Sequence, residues 1–497
     1  MSEGLTPVLI LGIIGVYFVL LLIISYFTGK KSDNATFFLA NRNSPWFVVA
    51  FGMIGASLSG VTFISIPGVV GGDGLNQAFS YMQIVLGYLL GYVVIAQVLL
   101  PLYYKLQLTT IYGYLGQRFG PVSYKTGSAY FLLSRTIGSS FRLFLVAIVL
   151  YHFVLSPFGI SFLATVAITI LLIWVYTFRG GIKTIVYTDT LQTFCMLTAV
   201  ILTVYVITSE LSISGGEMVQ IIRDSGYGQV FFFEGGWADP NNFFKQFFSG
   251  ALITIVMTGL DQDMMQKNLT CRSLRDAKKN MYTFSFILVF ANLLFLTLGA
   301  MLYIYAGEIG VDIPGRTDEL YPMLALQFLP AAVGIMFVIG LIASAYSSAD
   351  SGLTALTTAF CVDFLGFKSE ENGPSVKKKR MLVHIGFSLV LLLMILMFNA
   401  LNNDAVINGL FKAAGYTYGP LLGLFAFGLF TKRVVIDKWV IWICLASPVL
   451  SFLLDFYSTY LFAGFQFGFL ILAANGLLTF TGLYLISRNP ILKEDPA

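Results

Sequence analysis

Long apolar runs dominate this chain. Hydrophobic residues make up 57% of its 497 positions and charged residues only 11%. A helix of roughly 20 apolar residues is long enough to cross the hydrocarbon of a bilayer, and runs of that length follow one another through the sequence. The pattern predicts a polytopic, all-α membrane protein with little sequence left for a soluble domain.

Thirteen runs have the length and composition of membrane-spanning helices. They are predicted at 7–27, 46–70, 77–103, 123–154, 160–178, 185–208, 243–266, 281–305, 330–362, 382–401, 406–431, 439–457 and 466–487. The first run lacks the small-residue cleavage pattern of a signal peptide, so it is interpreted as a span. An odd number of spans puts the two ends of the chain on opposite sides of the membrane.

The loops between these runs differ in charge. Most of the 29 lysines and arginines fall in every second loop, whereas the loops between them carry Arg223 and Arg316 and the long loop 209–242 is acidic. Because basic residues beside a span resist translocation, the N-terminus is predicted outside and the C-terminus in the cytoplasm of a multi-pass cell-membrane protein. The net charge of +4 therefore reflects topology among membrane lipids and indicates no nucleic-acid partner.

Two of the apolar runs are interrupted by small and hydroxyl-bearing residues. Residues 55–60 read Gly-Ala-Ser-Leu-Ser-Gly, and residues 344–351 read Ser-Ala-Tyr-Ser-Ser-Ala-Asp-Ser. The four serines of the second segment recur at three and four residues, so they share one stripe of a helix. A helix break at membrane depth is tolerated where it faces protein, a cavity or an ion, and this makes both segments candidates for function.

Oxygen atoms are what these segments have in common. Asp350 lies among the serines, and Asp189 lies in an earlier run. A carboxylate at bilayer depth costs about 2.5 to 3.5 kcal/mol, so both need partners. Hard cations such as sodium prefer oxygen ligands, and the sequence therefore predicts a sodium site. The alternatives are close helix packing for the small residues, a solvated helix end for Asp189 and a structural ion pair for Asp350.

The order and spacing of several short motifs resemble the sodium/solute symporter family, which includes sodium-coupled sugar, proline and sialic acid transporters. The resemblance covers nearly the whole chain and rests on residues 57–63 (SLSGVTF), 67–68 (PG), 111–118 (IYGYLGQR), 180–181 (GG), 188–192 (TDTLQ), 263–267 (DMMQK), 347–348 (SS) and 419–433 (GPLLGLFAFGLFTKR). It implies a LeuT-like core of five plus five helices in inverted repeats, within about thirteen transmembrane helices. The first and sixth core helices would be broken around a midplane site, the sixth near Thr258 and Gly259.

The resemblance also implies a division of the chain into five units. They are a leading span and cytoplasmic loop (1–45), a first inverted repeat (46–208), an extracellular loop (209–242), a second inverted repeat (243–433), and two trailing helices with a short cytoplasmic tail (434–497).

Carrying the family's sodium ligands over implies one or two bound ions. The first site would use the backbone carbonyls of Gly55, Leu58 and Ser344 with the hydroxyls of Ser347 and Ser348. The family usually has alanine where Gly55 and Ser344 stand, but a carbonyl ligand does not depend on the side chain. A second site, present in some relatives, would fall on Asp189, Ser347, Asp350 and Ser351. Asp350 departs from the hydroxyl expected there, and two carboxylates so close would not easily both ionise.

Candidate solute contacts surround the first break. They are Ser57, Ser59, Thr62, Tyr81, Gln83, Arg135, Arg142, Gly259 and Gln262. Arg135 and Arg142 are seven residues apart and share a helix face, and the guanidinium fork suits a carboxylate. Snorkelling to an interface or pairing with an aspartate is the alternative for both.

The predicted function is sodium-coupled symport of a small polar solute, namely a sugar, a sugar acid or another carboxylate, into the cell by alternating access. An enzyme is disfavoured because His152 and His384 are the only histidines and the four cysteines have no metal-site spacing. A sodium-permeable channel and a solute-sensing receptor remain as alternatives. The sequence sets neither the solute nor the oligomeric state.

Overall fold

The computed structural model describes residues 6–28, 34–368, 373–401, 406–462 and 464–489. Within these ranges the chain is almost entirely helical, and its only strands are the two-residue pair Val434–Val435 and Ser487–Arg488, which run antiparallel. The all-α membrane architecture predicted from composition is therefore confirmed.

The longer helices follow one another along the chain and are numbered in that order. They are α1 (Pro7–Thr28), α2 (Trp46–Ser57), α3 (Gly60–Val69), α4 (Tyr81–Lys105), α5 (Pro121–Phe158), α6 (Phe162–Val175), α7 (Gly181–Glu210), α8 (Phe243–Gly259), α9 (Gln262–Leu269), α10 (Leu274–Glu308), α11 (Ala331–Phe364), α12 (Pro374–Ala400), α13 (Asn408–Thr417), α14 (Gly419–Phe430), α15 (Asp437–Phe456) and α16 (Gly468–Leu485). Short helices lie in the connections at Asn34–Leu39, Gly113–Arg118, Gly215–Asp224, Leu320–Met323 and Ser458–Leu461.

The number of possible membrane spans depends on how bent helices are counted. In the described residues nine helices are long and apolar enough to cross a membrane, and the number rises to twelve if each of three bent pairs is one span. Helix α6 is apolar but shorter than a full span. A multi-pass membrane protein is confirmed, whereas the count of thirteen stays a prediction.

Three predicted spans are bent rather than straight. The bends are 52° between α2 and α3, 63° between α8 and α9, and 48° between α13 and α14. The sequence predicts the first two but not the third. Pro420, at the start of α14, has no N–H to continue the ladder of α13. The amide of Asn475 donates to the carbonyls of Gly415 and Tyr416 and so satisfies backbone acceptors beside that bend.

The connection between the fifth and sixth predicted spans is shorter than expected. The sequence predicts a loop over 179–184, but the helical segment runs on from Phe162 to Glu210. It turns from α6 into α7 at Gly181, whose backbone is not helical. Gly181 has φ 54° and ψ −144°, and a Cβ at this position would collide with the ring of Phe37. Glycine is therefore required at this corner.

Glycines bring the backbones of α4 and α8 into contact. A Cβ on Gly87 would overlap the carbonyl oxygen of Phe247, and a Cβ on Gly250 would overlap that of Ile84. Small residues allow this approach in membrane helices, where dispersion replaces the hydrophobic effect between helices. On the other side of the α2–α3 break, α2 and α11 both pack against α7. The α2–α3 break thus lies between the closely packed pair α4 and α8 and the packed pair α7 and α11.

Candidate functional site

The break between α2 and α3 leaves backbone carbonyls without their helical partners. Leu58 has φ −80° and ψ 67°, and Ser59 is extended. In the described part of the chain no hydrogen bond is donated to the carbonyls of residues 55 to 58. Because an unsatisfied carbonyl inside a protein is costly, these oxygens are available to a ligand.

Serines of α11 face this break. A methyl group added to Gly55 would lie 3.3 Å from Oγ of Ser347, and one added to Gly60 would lie 3.5 Å from Oγ of Ser344. Oγ of Ser347 is buried and has no hydrogen-bond partner among the described residues. The hydroxyl of Ser344 donates to the carbonyl of Leu341 at 2.7 Å instead. Ser347 therefore adds an uncommitted oxygen to the carbonyls of the break.

The remaining predicted ligands of the first sodium site lie in the same place. Leu58 is part of the break, and Ser348 follows Ser347 on α11 with its hydroxyl donating to the carbonyl of Ser344 at 3.1 Å. A hydroxyl that donates in this way keeps its lone pairs for a cation. The structure thus brings the two predicted segments together, as a sodium site at this position requires.

The four residues of the predicted second sodium site do not all meet. Asp189 on α7 is buried near Ser347, and its Oδ2 lies 2.7 Å from Nζ of Lys267 on α9. The single proton of the Ser351 hydroxyl has two acceptors within reach, the carbonyl of Ser347 at 2.8 Å and Oδ2 of Asp263 at 3.2 Å. Asp350 is buried towards Tyr17 of the leading helix α1.

A cavity of about 70 Å³ lies on the other side of the break. Helices α2, α3, α4, α5, α8, α9, α10 and α13 contribute to its wall. Five of the predicted solute residues line it, namely Ser57, Ser59, Thr62, Tyr81 and Arg142. The break therefore lies against the serines of α11 and also lines a cavity.

The other four predicted solute residues bond to protein instead of lining this cavity. Gln83 donates to the carbonyl of Asn241 at 2.9 Å, and Gln262 donates to the carbonyl of Thr109 at 3.0 Å. The carbonyl of Gly259 accepts from the hydroxyl of Tyr103 at 2.8 Å. Arg135 forms a buried ion pair with Asp263. All four hold neighbouring helices and loops together.

Several residues that line the cavity were not predicted from the sequence. Tyr88, Asn292 and Phe411 line the cavity together with Tyr81. The hydroxyls of Tyr81 and Tyr88 lie 2.8 Å apart, and the rings of Tyr81 and Phe411 stack with centroids 6.4 Å apart. Aromatic residues are common in any membrane core, so only the polar Asn292 inside an apolar run gave a usable signal.

Arg142 is the charged group of the cavity wall. Its side chain is buried, and in the described part of the chain it has neither an ion pair nor a hydrogen bond. Arg135, two turns earlier on α5, has Asp263 as its partner. A buried guanidinium without a direct ion-pair partner has donors free to bind an anion.

Broken helices around a central cavity inside a bundle of apolar helices define a membrane transporter. A family model described as "Sodium:solute symporter family" matches residues 37–437. The chain therefore belongs to the sodium:solute symporter family, as its motifs predict. It is a sodium-coupled transporter, and neither its family nor its structural neighbours are enzymes.

Named relatives and a solved structure agree with this membership. The sodium/sialic acid symporter NanT of Aliivibrio fischeri is 24% identical over 430 residues, which cover 82% of this chain and 80% of that protein. The sodium/glucose cotransporter of Vibrio parahaemolyticus is 24% identical over 461 residues, covering 86% and 80%. A substrate-bound, outward-open sialic acid symporter superposes with a TM-score of 0.81 at 18% identity, covering 97% of this chain and 99% of the other. The LeuT-like fold is shared.

Proposed function

We propose that this protein takes up a small carboxylate-bearing solute, such as a sugar acid, together with sodium across the cell membrane. The observation that carries the proposal is Arg142, a guanidinium on the wall of the cavity without an acidic partner among the described residues. A guanidinium pairs with a carboxylate through two parallel hydrogen bonds, and burial strengthens that interaction.

The rest of the cavity wall suits a polar molecule with an apolar face. Hydroxyls of Ser57, Thr62 and Tyr81 and the amide of Asn292 offer hydrogen bonds, and Phe411 offers a ring surface. One relative is named for sialic acid, which carries a carboxylate, and another for glucose, which is neutral. Arg142 favours the acid, because a neutral sugar would leave its guanidinium without an ion-pair partner.

We further propose that sodium binds at the opposite side of the same break. Its ligands would be the carbonyls of Gly55, Leu58 and Ser344 and the hydroxyls of Ser347 and Ser348. The free carbonyls of Gly55 and Leu58 and the uncommitted Oγ of Ser347 support this assignment. Coupling follows from the break itself, because an ion that fixes the carbonyls of residues 55 and 58 also fixes the side chains of Ser57 and Ser59 at the solute.

The proposed architecture is two inverted repeats at 46–208 and 243–433, with the N-terminus outside and the C-terminus in the cytoplasm. The first two bent pairs, α2–α3 and α8–α9, stand at the start of these two ranges, which supports the repeat. Counting α6 as a span beside the twelve gives thirteen, which agrees with the alternation of basic and acidic loops.

The experiment is uptake of radiolabelled N-acetylneuraminate, gluconate and glucose into proteoliposomes with an inward sodium gradient. The expected result is saturable, sodium-dependent uptake of at least one carboxylate and little uptake of glucose. Arg142→Gln should abolish carboxylate uptake, whereas Arg142→Lys should retain part of it. The matched control is Lys245→Met, since Lys245 is also buried but its Nζ donates to the carbonyl of Trp237 away from the cavity.

Four results would contradict the proposal. Uptake of glucose alone would reject the carboxylate, as would Arg142→Gln protein that still transports the acids. Sodium flux that neither saturates nor depends on any solute would point to the sodium-permeable channel, and solute binding without flux would point to the receptor.

A further inference from the structure

Lys267 is a fully buried lysine beside the proposed sodium site. Its side chain and that of Asp189 are both 0% exposed, and Nζ lies 2.7 Å from Oδ2. Asp189 in turn stands directly behind α2, because a methyl group on Gly52 would lie 3.3 Å from its Cβ and one on Gly55 would lie 3.1 Å from its carbonyl oxygen. The ammonium thus reaches a carboxylate next to the broken helix.

We propose that the ammonium of Lys267 takes the place of a second sodium ion at Asp189, so that the protein binds and moves one sodium ion per cycle. This inference rests on the proposed function only in assuming the first sodium site at Ser347. It concerns the number of ions and the residue that sets it.

Charge balance around Asp189 supports the substitution. Asp189 pairs with Lys267 and Asp263 pairs with Arg135, while Asp261, buried beside them, accepts a hydrogen bond from the hydroxyl of Tyr418. The ammonium of Lys267 therefore already supplies Asp189 with one positive charge. An ammonium is a compact point charge with three hydrogen-bond donors, so it can take the place of a dehydrated alkali ion beside a carboxylate.

A sodium ion added beside the ammonium would be repelled. Two unit charges about 4 Å apart at the effective dielectric constant of a protein interact strongly enough to weaken binding on the order of a thousandfold. The other predicted ligands do not offset this repulsion, because the hydroxyl of Ser351 carries no charge and Asp350 lies towards α1. The second site therefore stays closed to sodium at physiological concentrations.

The test counts sodium ions bound to the purified protein without any solute. Equilibrium binding of ²²Na⁺ in detergent, with choline replacing sodium, should give one ion per wild-type protein and two per Lys267→Met protein. Lys267→Arg keeps the positive charge and should bind one ion. The double variant Lys267→Met with Asp189→Asn loses the carboxylate as well and should return to one.

Controls separate this outcome from a general loss of structure. Lys245→Met removes another buried lysine and should bind one ion like the wild type. The double variant removes both members of the pair, so it leaves no uncompensated buried charge and should be more stable than Lys267→Met.

The inference and the proposed function fail in different ways. Two ions per wild-type protein would overturn the inference even if Lys267→Met did not fold. One ion per folded Lys267→Met protein would overturn it as well, since removal of the ammonium would not have opened a site. No bound sodium in any variant, wild type included, would instead reject the proposed sodium site at Ser347.

Discussion

Removing the hydroxyl of Ser347 tests the sodium site most directly. Oγ of Ser347 is buried opposite Gly55 and has no hydrogen-bond partner in the described residues. Ser344, one turn earlier, points its hydroxyl at the carbonyl of Leu341 and offers only its own carbonyl to the site. Ser347→Ala therefore removes a proposed sodium ligand. Ser344→Ala removes a hydroxyl from the same buried face but leaves every proposed ligand in place.

The size of the effect follows from the interaction that is lost. A hydrogen-bonding group that contacts a charge contributes about 1.5 to 3 kcal/mol, which corresponds to about 10- to 150-fold weaker sodium binding in Ser347→Ala. A ligand at 100 times its dissociation constant stabilises the folded state by about 2.7 kcal/mol. After a 100-fold loss of affinity the same concentration gives only about 0.4 kcal/mol.

Thermal unfolding in detergent measures this difference, with choline chloride replacing sodium chloride at constant ionic strength. We expect the curve of unfolding temperature against sodium concentration to move to higher sodium for Ser347→Ala and to keep its position for Ser344→Ala. A Ser347→Ala curve that coincides with the wild type would refute the assignment. Equal shifts in both variants would do so too, because they would report lost packing rather than a lost ligand.

Three further predictions concern the scaffold. Gly87→Ala forces a Cβ into the backbone of α8 and should lower the unfolding temperature by several degrees, whereas Gly12→Ala, with nothing within 4 Å, should not. Asp363→Asn weakens a carboxylate that accepts from three hydroxyls at 2.5 to 2.6 Å, and we expect about 1.5 to 3 kcal/mol lower stability in the same assay. Asn408→Ala removes the 3.0 Å hydrogen bond from Asn76 to α13, which forms part of the cavity wall, and should speed maleimide labelling of a cysteine added in the cavity. An unchanged labelling rate would show that this bond does not hold α13 in place at the cavity.

The sequence is most informative where a local chemical signal interrupts an apolar run. The glycines and serines at 55–60 predict the α2–α3 break because no apolar helix needs them. The bend at Gly419 was missed although Pro420 stood beside it, because the surrounding run is otherwise continuous and apolar. The loop expected at 179–184 reduces to Gly181 because one residue with positive φ is enough to turn the chain.

The sequence is least informative about partners that are distant along the chain. Asp189 and Lys267 are 78 positions apart, and only the packing of α7 against α9 makes them a pair. Gln83 and Gln262 were predicted to bind solute, but their amides satisfy backbone groups of neighbouring segments. Buried polar groups need partners of either kind, and a single sequence does not say whether the partner is a ligand or the protein.

The buried ammonium of Lys267 also has an electrical consequence. If one sodium ion accompanies a monovalent carboxylate, each cycle carries no net charge and generates no current. The membrane potential, worth about 2.3 kcal/mol per charge at 100 mV, then adds nothing to the driving force. The ratio of inside to outside solute concentration can then reach at most the ratio of outside to inside sodium concentration. One lysine side chain would thus make uptake independent of voltage.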